Sequence, residues 1–330
     1  LAGAVGGAST RSNSGVQGGV TAIMGGQSLA QNIFLSYVRT EEMSADQAAI
    51  KYLEKTHQSG EGMLTTFRHF ADKQLVAVRG SDAYGFTHPL PHERIEQLED
   101  LVGKSQWRDA KDPPALQARH DLVRAKLTAF TEPPKVVAGR YPPGDGSLPA
   151  KYARAVVAYR TAPPADAIRA VDELLKERPD YPYFHELKGQ ILLESGHPRE
   201  ALGSLRRALQ LAPSAGPIRV MLGHAMVATE DKGLLDEAIR ILKQAADRDR
   251  LDPEPYPHLG RAYALKGEPA KADLMRAEEL FIVGQVQEAR KFANRARDNL
   301  KTGTPEWLRA DDIVAYKPDK TESDIPPRRR

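Results

Sequence analysis

Residues 182–215 read PYFHELKGQILLESGHPREALGSLRRALQLAPSA, and this stretch decides the fold. Small residues, Gly189, Ala201 and Ala208, are interleaved with Leu192 and Leu205, and Pro213 stands near the end. Ala167 and Pro179 each precede Ala201 and Pro213 by 34 residues, so the period occurs twice. Glycine or alanine at such sites lets two helices approach closely, where a larger side chain would overpack them. A 34-residue period of this kind describes stacked helical hairpins.

The pattern resembles the tetratricopeptide template, in which Gly189, Leu192, Ala201, Leu205, Ala208 and Pro213 take positions 8, 11, 20, 24, 27 and 32. Leu222, Gly223 and Met226 begin the next unit, and Ala238, Leu242 and Ala245 continue it after a three-residue insertion near Asp231 to Gly233. An insertion of that size belongs in the turn. Leu259, Gly260 and Tyr263 start a further unit, and Ala270 to Val283 with Gln285 to Leu300 form one more degenerate hairpin carrying Gly284, Ala289 and Ala296. The three template glycines are read as packing residues. First helices line the groove of such arrays, so Tyr183, Arg219, His224 and Tyr256 are candidate peptide-binding residues, with core or solvent packing the competing reading for each.

Outside the repeats the chain divides by composition. Residues 1 to about 27 are rich in Gly, Ala and Ser and read as loop. Helical spacing runs from Ser28 to about His57, a second apolar stripe covers Met63 to Ala71, and a third helix covers His92 to about Leu101. The pairs Pro113-Pro114 and Pro133-Pro134 bracket one helical stretch, Ala115 to Phe130, in what otherwise reads as linker. The expected organisation is residues 1–110, a linker at 111–147, repeats at 148–313 and a disordered tail at 314–330.

The 330 residues suffice for two packed units, and aromatics at 6% with a mean hydropathy of −0.50 favour an all-α chain over a sandwich or barrel. Charge is +3, from 47 basic and 44 acidic residues spread along the chain, which leaves no long basic face for nucleic acid. With no cysteine, a metal must be held by His, Asp or Glu. No apolar run reaches the ~18 residues of a membrane span, so membrane association is expected to be peripheral at most.

Chemistry concentrates near the start. In Arg39-Thr40-Glu41-Glu42-Met43-Ser44-Ala45-Asp46, a helix places Glu42 and Asp46 one turn apart on one face. Taken alone, such a pair is more often solvated surface. A second segment follows: Gly85-Phe86-Thr87-His88-Pro89-Leu90-Pro91-His92-Glu93-Arg94-Ile95.

Together these resemble the E-x-x-x-D and T-H-P motifs of gluzincin zinc metallopeptidases of the β-barrel assembly-enhancing protease type, whose repeat-bearing branch also matches the helical array. The resemblance implies a partial helical metallopeptidase domain followed by a tetratricopeptide-repeat α-solenoid. It further implies one zinc ion held by Glu42, Asp46 orienting a zinc-binding histidine, His88 near the metal, and Arg94 in the same polar cluster. The implied function is a zinc endopeptidase of the bacterial cell envelope, located in the periplasm and active in protein quality control. Its repeats would recruit protein substrates or outer-membrane assembly machinery.

One element departs from the family. H-E-x-x-H, which sets two zinc ligands and a general-base Glu on one helical face, occurs nowhere in the chain. The chain opens at Leu1 rather than Met, so the expectation is that this motif and its Glu lie upstream, and that the 330 residues alone are inactive. The rival expectation is a non-catalytic binding scaffold.

Overall fold

The structure, a computed structural model, describes residues 40–77 and 92–317, which form helices joined by turns and short connections with no strand among them. The chain divides into two units, Leu1–Gln117 and Ala118–Arg330.

In the first unit, residues 40–55 form helix α1. Helix α2 is Glu61–Ala77 and α3 is His92–Lys104. Ile50 of α1, Leu64 of α2 and Ile95, Leu98 and Val102 of α3 are buried together, with Leu53, Met63, Phe67, Ala71 and Leu101 packed around them. Phe70, expected on the same stripe, is 40% exposed. The turn between α1 and α2 passes so close to this core that a Cβ on Gly60 would lie 2.7 Å from Val102 Cγ2 and 2.9 Å from Ile50 Cδ1. Ser59 fixes the entry to α2, its hydroxyl accepting from Glu61 N at 3.1 Å and donating to the Arg108 carbonyl. The residues before 40, the segment 78–91 and the tail from 318 lie outside the described residues, and with them the loop expected at the N-terminus and most of the expected tail.

Helix α4, Pro114–Thr131, contains the boundary between the units, and α5, Pro134–Arg140, follows it. The sequence led to one helix here, and the structure has two. The second proline of each pair opens a helix, a position where its missing N–H costs nothing and its fixed φ suits the first turn. Leu122, Ala125 and Ala129 of α4 and Val137 of α5 are buried in one cluster with Tyr141 and with residues of the first repeat.

The repeats then run as α6 Leu148–Thr161 with α7 Pro164–Glu177, α8 Pro182–Glu194 with α9 Pro198–Leu211, and α10 Gly216–Ala228 with α11 Leu235–Arg248. The three-residue insertion is a 3₁₀ turn, Lys232–Leu234, capped by the Asp231 carboxylate on Gly233 N at 2.9 Å. Helices α12 Pro255–Leu265, α13 Pro269–Ile282, α14 Val286–Asn299 and α15 Pro305–Ala315 complete the array.

The small residues do what the period required. A Cβ on Gly189 would fall 2.5 Å from Leu205 Cγ, and one on Gly223 would fall 2.5 Å from Leu242 Cγ. Gly260 is different, because its Cβ would meet nothing closer than the Ala272 carbonyl oxygen at 3.6 Å. Helix α13 also departs from simple pairing. Its Leu274 and Met275 are buried with Leu259 and Tyr263 of α12, while its Ala277 and Leu280 are buried with Ala289 and Ala293 of α14 and Ile313 of α15. It therefore closes one hairpin and opens the next. Among the described residues no helix is long and apolar enough to cross a membrane.

Candidate functional site

Glu42 and Asp46 sit one turn apart on α1, and α3 begins two residues before Arg94. The Arg94 fork closes on Asp46, with Nε donating to Oδ2 at 2.7 Å and Nη2 to Oδ1 at 2.8 Å. Its Nη1 lies 3.1 Å from Glu42 Oε2. Arg94 and Asp46 are 4% and 5% exposed, whereas the Glu42 side chain retains 21%. The Phe67 ring of α2 faces the guanidinium, its centroid 5.2 Å from Cζ, so all three helices meet at this cluster. Burial opposes the Arg94 charge, but hydrogen bonds and charges from Asp46 and Glu42 outweigh it and hold the guanidinium above its ordinary pKa.

A catalytic zinc takes three protein ligands and a water. Glu42 offers one carboxylate at the more open edge of the cluster. Asp46 gives both oxygens to Arg94, yet each carboxylate oxygen has a further lone pair that an imidazole N–H can use. Among the described residues no group of three or more His, Cys, Asp or Glu side chains is placed to hold a metal. Glu42 and Asp46 thus fit the parts of one ligand and one supporting carboxylate, not a whole site. His88 lies outside the described residues.

The candidate groove residues have separate partners. Tyr183 is 38% exposed, and Lys126 of α4 places its ammonium 5.3 Å from the Tyr183 ring centroid while pairing with Glu186 at 2.6 Å. Arg219 donates to the Gln244 side chain at 2.7 Å and to the Pro213 carbonyl at 2.6 Å, bracing α10 against its neighbours. His224 stacks on His258. Tyr256 is 4% exposed, a core residue among α11, α12 and α13, so packing and not peptide contact accounts for it. Sequence reading missed Phe67 and Lys126. Phe67 carried only the signal of an apolar stripe, and Lys126 lies 60 residues from Glu186.

Residues 1–102 match the model of Peptidase family M48, and residues 152–216 and 192–255 match Tetratricopeptide repeat families. Relatives named Beta-barrel assembly-enhancing protease, from Yersinia pestis and from Escherichia coli strain K12, are each 22% identical over 312 residues covering 89% of this chain. The chain spans 60% of the length of each of these relatives. Among solved structures, MamA is 20% identical, with a TM-score of 0.39 over 48% of this chain and 90% of that one. TTC0263, a tetratricopeptide-repeat protein of Thermus thermophilus, is 20% identical, with a TM-score of 0.37 over 51% of this chain and 99% of that one. A segment similar to Peptidase family M48 is thus followed in this chain by segments similar to tetratricopeptide repeats.

Proposed function

We propose that this chain is part of a zinc-dependent metalloendopeptidase acting in protein quality control in the bacterial periplasm, with its repeats binding protein substrates or outer-membrane assembly machinery. One observation carries the reading: the segment that matches the M48 family holds Glu42 and Asp46 on one helical face, locked by Arg94. Glu42 is the metal ligand in this reading. Asp46 positions a zinc-binding histidine, Arg94 holds the Asp46 carboxylate in place through its two fork hydrogen bonds, and His88 contributes from the T-H-P loop. Bound zinc would supply Lewis-acid polarisation of the scissile carbonyl and would lower the pKa of a bound water, so that its deprotonated form is available as the nucleophile.

Two further ligands and a general base are then required, which this sequence does not supply as H-E-x-x-H, so the 330 residues by themselves are inactive in this reading. The link to a β-barrel assembly partner is supported by the relatives' name, Beta-barrel assembly-enhancing protease, and the periplasmic location by the family resemblance alone.

The test is zinc affinity and casein cleavage by the natural protein and its variants. Glu42→Gln abolishes cleavage and weakens zinc binding; Asp46→Asn weakens it by roughly 10–100-fold, as removal of a ligand's supporting partner does. Unchanged zinc affinity in Glu42→Gln removes Glu42 from the site. Absence of zinc binding and cleavage in the natural protein, with peptide binding retained by the repeats, establishes the scaffold reading instead.

A further inference from the structure

His224 and His258 are 34 residues apart, and the structure lays their imidazoles face to face, with ring centroids 4.0 Å apart and planes inclined by 17°. One ring comes from α10 and the other from α12, the first helices of successive hairpins. The stack therefore spans the joint between two repeats. Both rings are partly buried.

The charged groups facing the pair come from α8, α12 and the turn after α10. Arg261, one turn beyond His258 on α12, is anchored by Glu230 at 2.8 Å. Glu194 at the end of α8 receives the Tyr159 hydroxyl at 2.5 Å and the Gln190 amide at 2.9 Å. Burial pushes His258 down to about 4, with His224 and Arg261 adding to the shift. Burial and then Arg261 also lower His224, and Glu194 opposes them without reversing the direction.

We propose that the His224–His258 stack is a pH-sensitive clasp between these two repeats, closed while both rings are neutral and released when acid charges them. A charged imidazole here faces a second ring and the Arg261 cation in partly buried surroundings, and Glu194, the carboxylate that favours a charged His224, is already engaged by Tyr159 and Gln190. Folded pKa values below the ordinary value near 6.5 mean that the folded chain binds fewer protons than the unfolded one in that interval. The clasp's contribution is therefore complete above pH 6.5 and is lost as the pH falls toward about 4.

Two measurements on the full chain test this. In the first, the ring C–H signals of the wild-type protein are followed by NMR against pH. The His258 signal is expected to titrate near pH 4 and to move the His224 signal with it. Titration of both at the ordinary histidine value, each indifferent to the other, overturns the proposal. The second compares melting temperatures at neutral pH and at about pH 5 for the wild type, His258→Phe, which keeps a ring that cannot be charged, and His258→Gln. The wild type is expected to lose several degrees more than either variant on acidification. Equal losses in all three overturn the clasp, and if neither variant folds, the wild-type titration decides alone.

Discussion

Arg94 takes its two carboxylate partners from a different helix, and from Asp46 it is separated by 48 residues of chain. Its removal leaves the Asp46 carboxyl group at 5% exposure with neither of its fork bonds. Breaking a buried pair from one side typically costs about 3–5 kcal/mol, much of it the uncompensated charge. Arg94→Ala is therefore expected to destabilise the first unit by that amount. The two tryptophans allow a clean reading: Trp107 lies in the first unit and Trp307 in the second, so urea unfolding of Arg94→Ala in a Trp307→Phe background reports the first unit alone. Arg94→Lys is expected to recover only part of the loss, because an ammonium cannot bind both Asp46 oxygens in the fork geometry.

The shared face of Glu42 and Asp46 was legible in the sequence, since helical spacing is a local property. Arg94 joined them through a motif resemblance, and its fork and the Phe67 ring beneath it emerge only when three helices are packed.

Helices α8 and α12 carry glycine at the same template position in different surroundings. At Gly189 the added methyl group must displace Leu205 Cγ, the branch point of a fully buried side chain. Gly189→Ala is expected to lower stability by about 1–3 kcal/mol, the usual cost of overpacking, against a helix-propensity gain of about 1 kcal/mol. At Gly260 the methyl group meets only ordinary van der Waals distances, so the propensity gain prevails and Gly260→Ala is expected to stabilise by roughly 0.5–1 kcal/mol. Thermal unfolding monitored by circular dichroism checks the pair, and opposite signs are the expected result.

The period located these helices because small-residue contacts recur at fixed spacing. It did not distinguish Gly260, where the partner helix offers the Ala272 backbone and Met275 Cβ in place of a leucine. The proline pairs misled for a related reason: one residue type both forbids helix continuation and favours helix initiation, and which rule applies depends on whether the following residues find a core, as Val137 does.

Across the array each helix packs mainly on its neighbours, and several ion pairs join residues about one repeat apart, including Arg206 with Glu237 at 2.9 Å and Arg309 with Glu278 at 2.6 Å. Stability in such an array is close to a sum of nearest-neighbour terms. Damage should stay local. Ile313→Asp puts a carboxylate at a position only 5% exposed, in the cluster that joins α13, α14 and α15. Hydrogen exchange is expected to show lost protection in α14 and α15 while the amides of α6 to α9 remain protected. Uniform loss across all helices would mean that the array unfolds as one cooperative body.

The double role of α13 also limits how the array can be rebuilt. A hairpin such as 182–215 begins and ends at turns, so in principle it can be copied or cut out as a cassette. From α12 onward no such seam exists, because a cut on either side of α13 strips a wall from the neighbouring hairpin. Gene duplication or protein engineering can lengthen this array within its 34-residue portion, but helices α12 to α15 must be inherited or transplanted as a block.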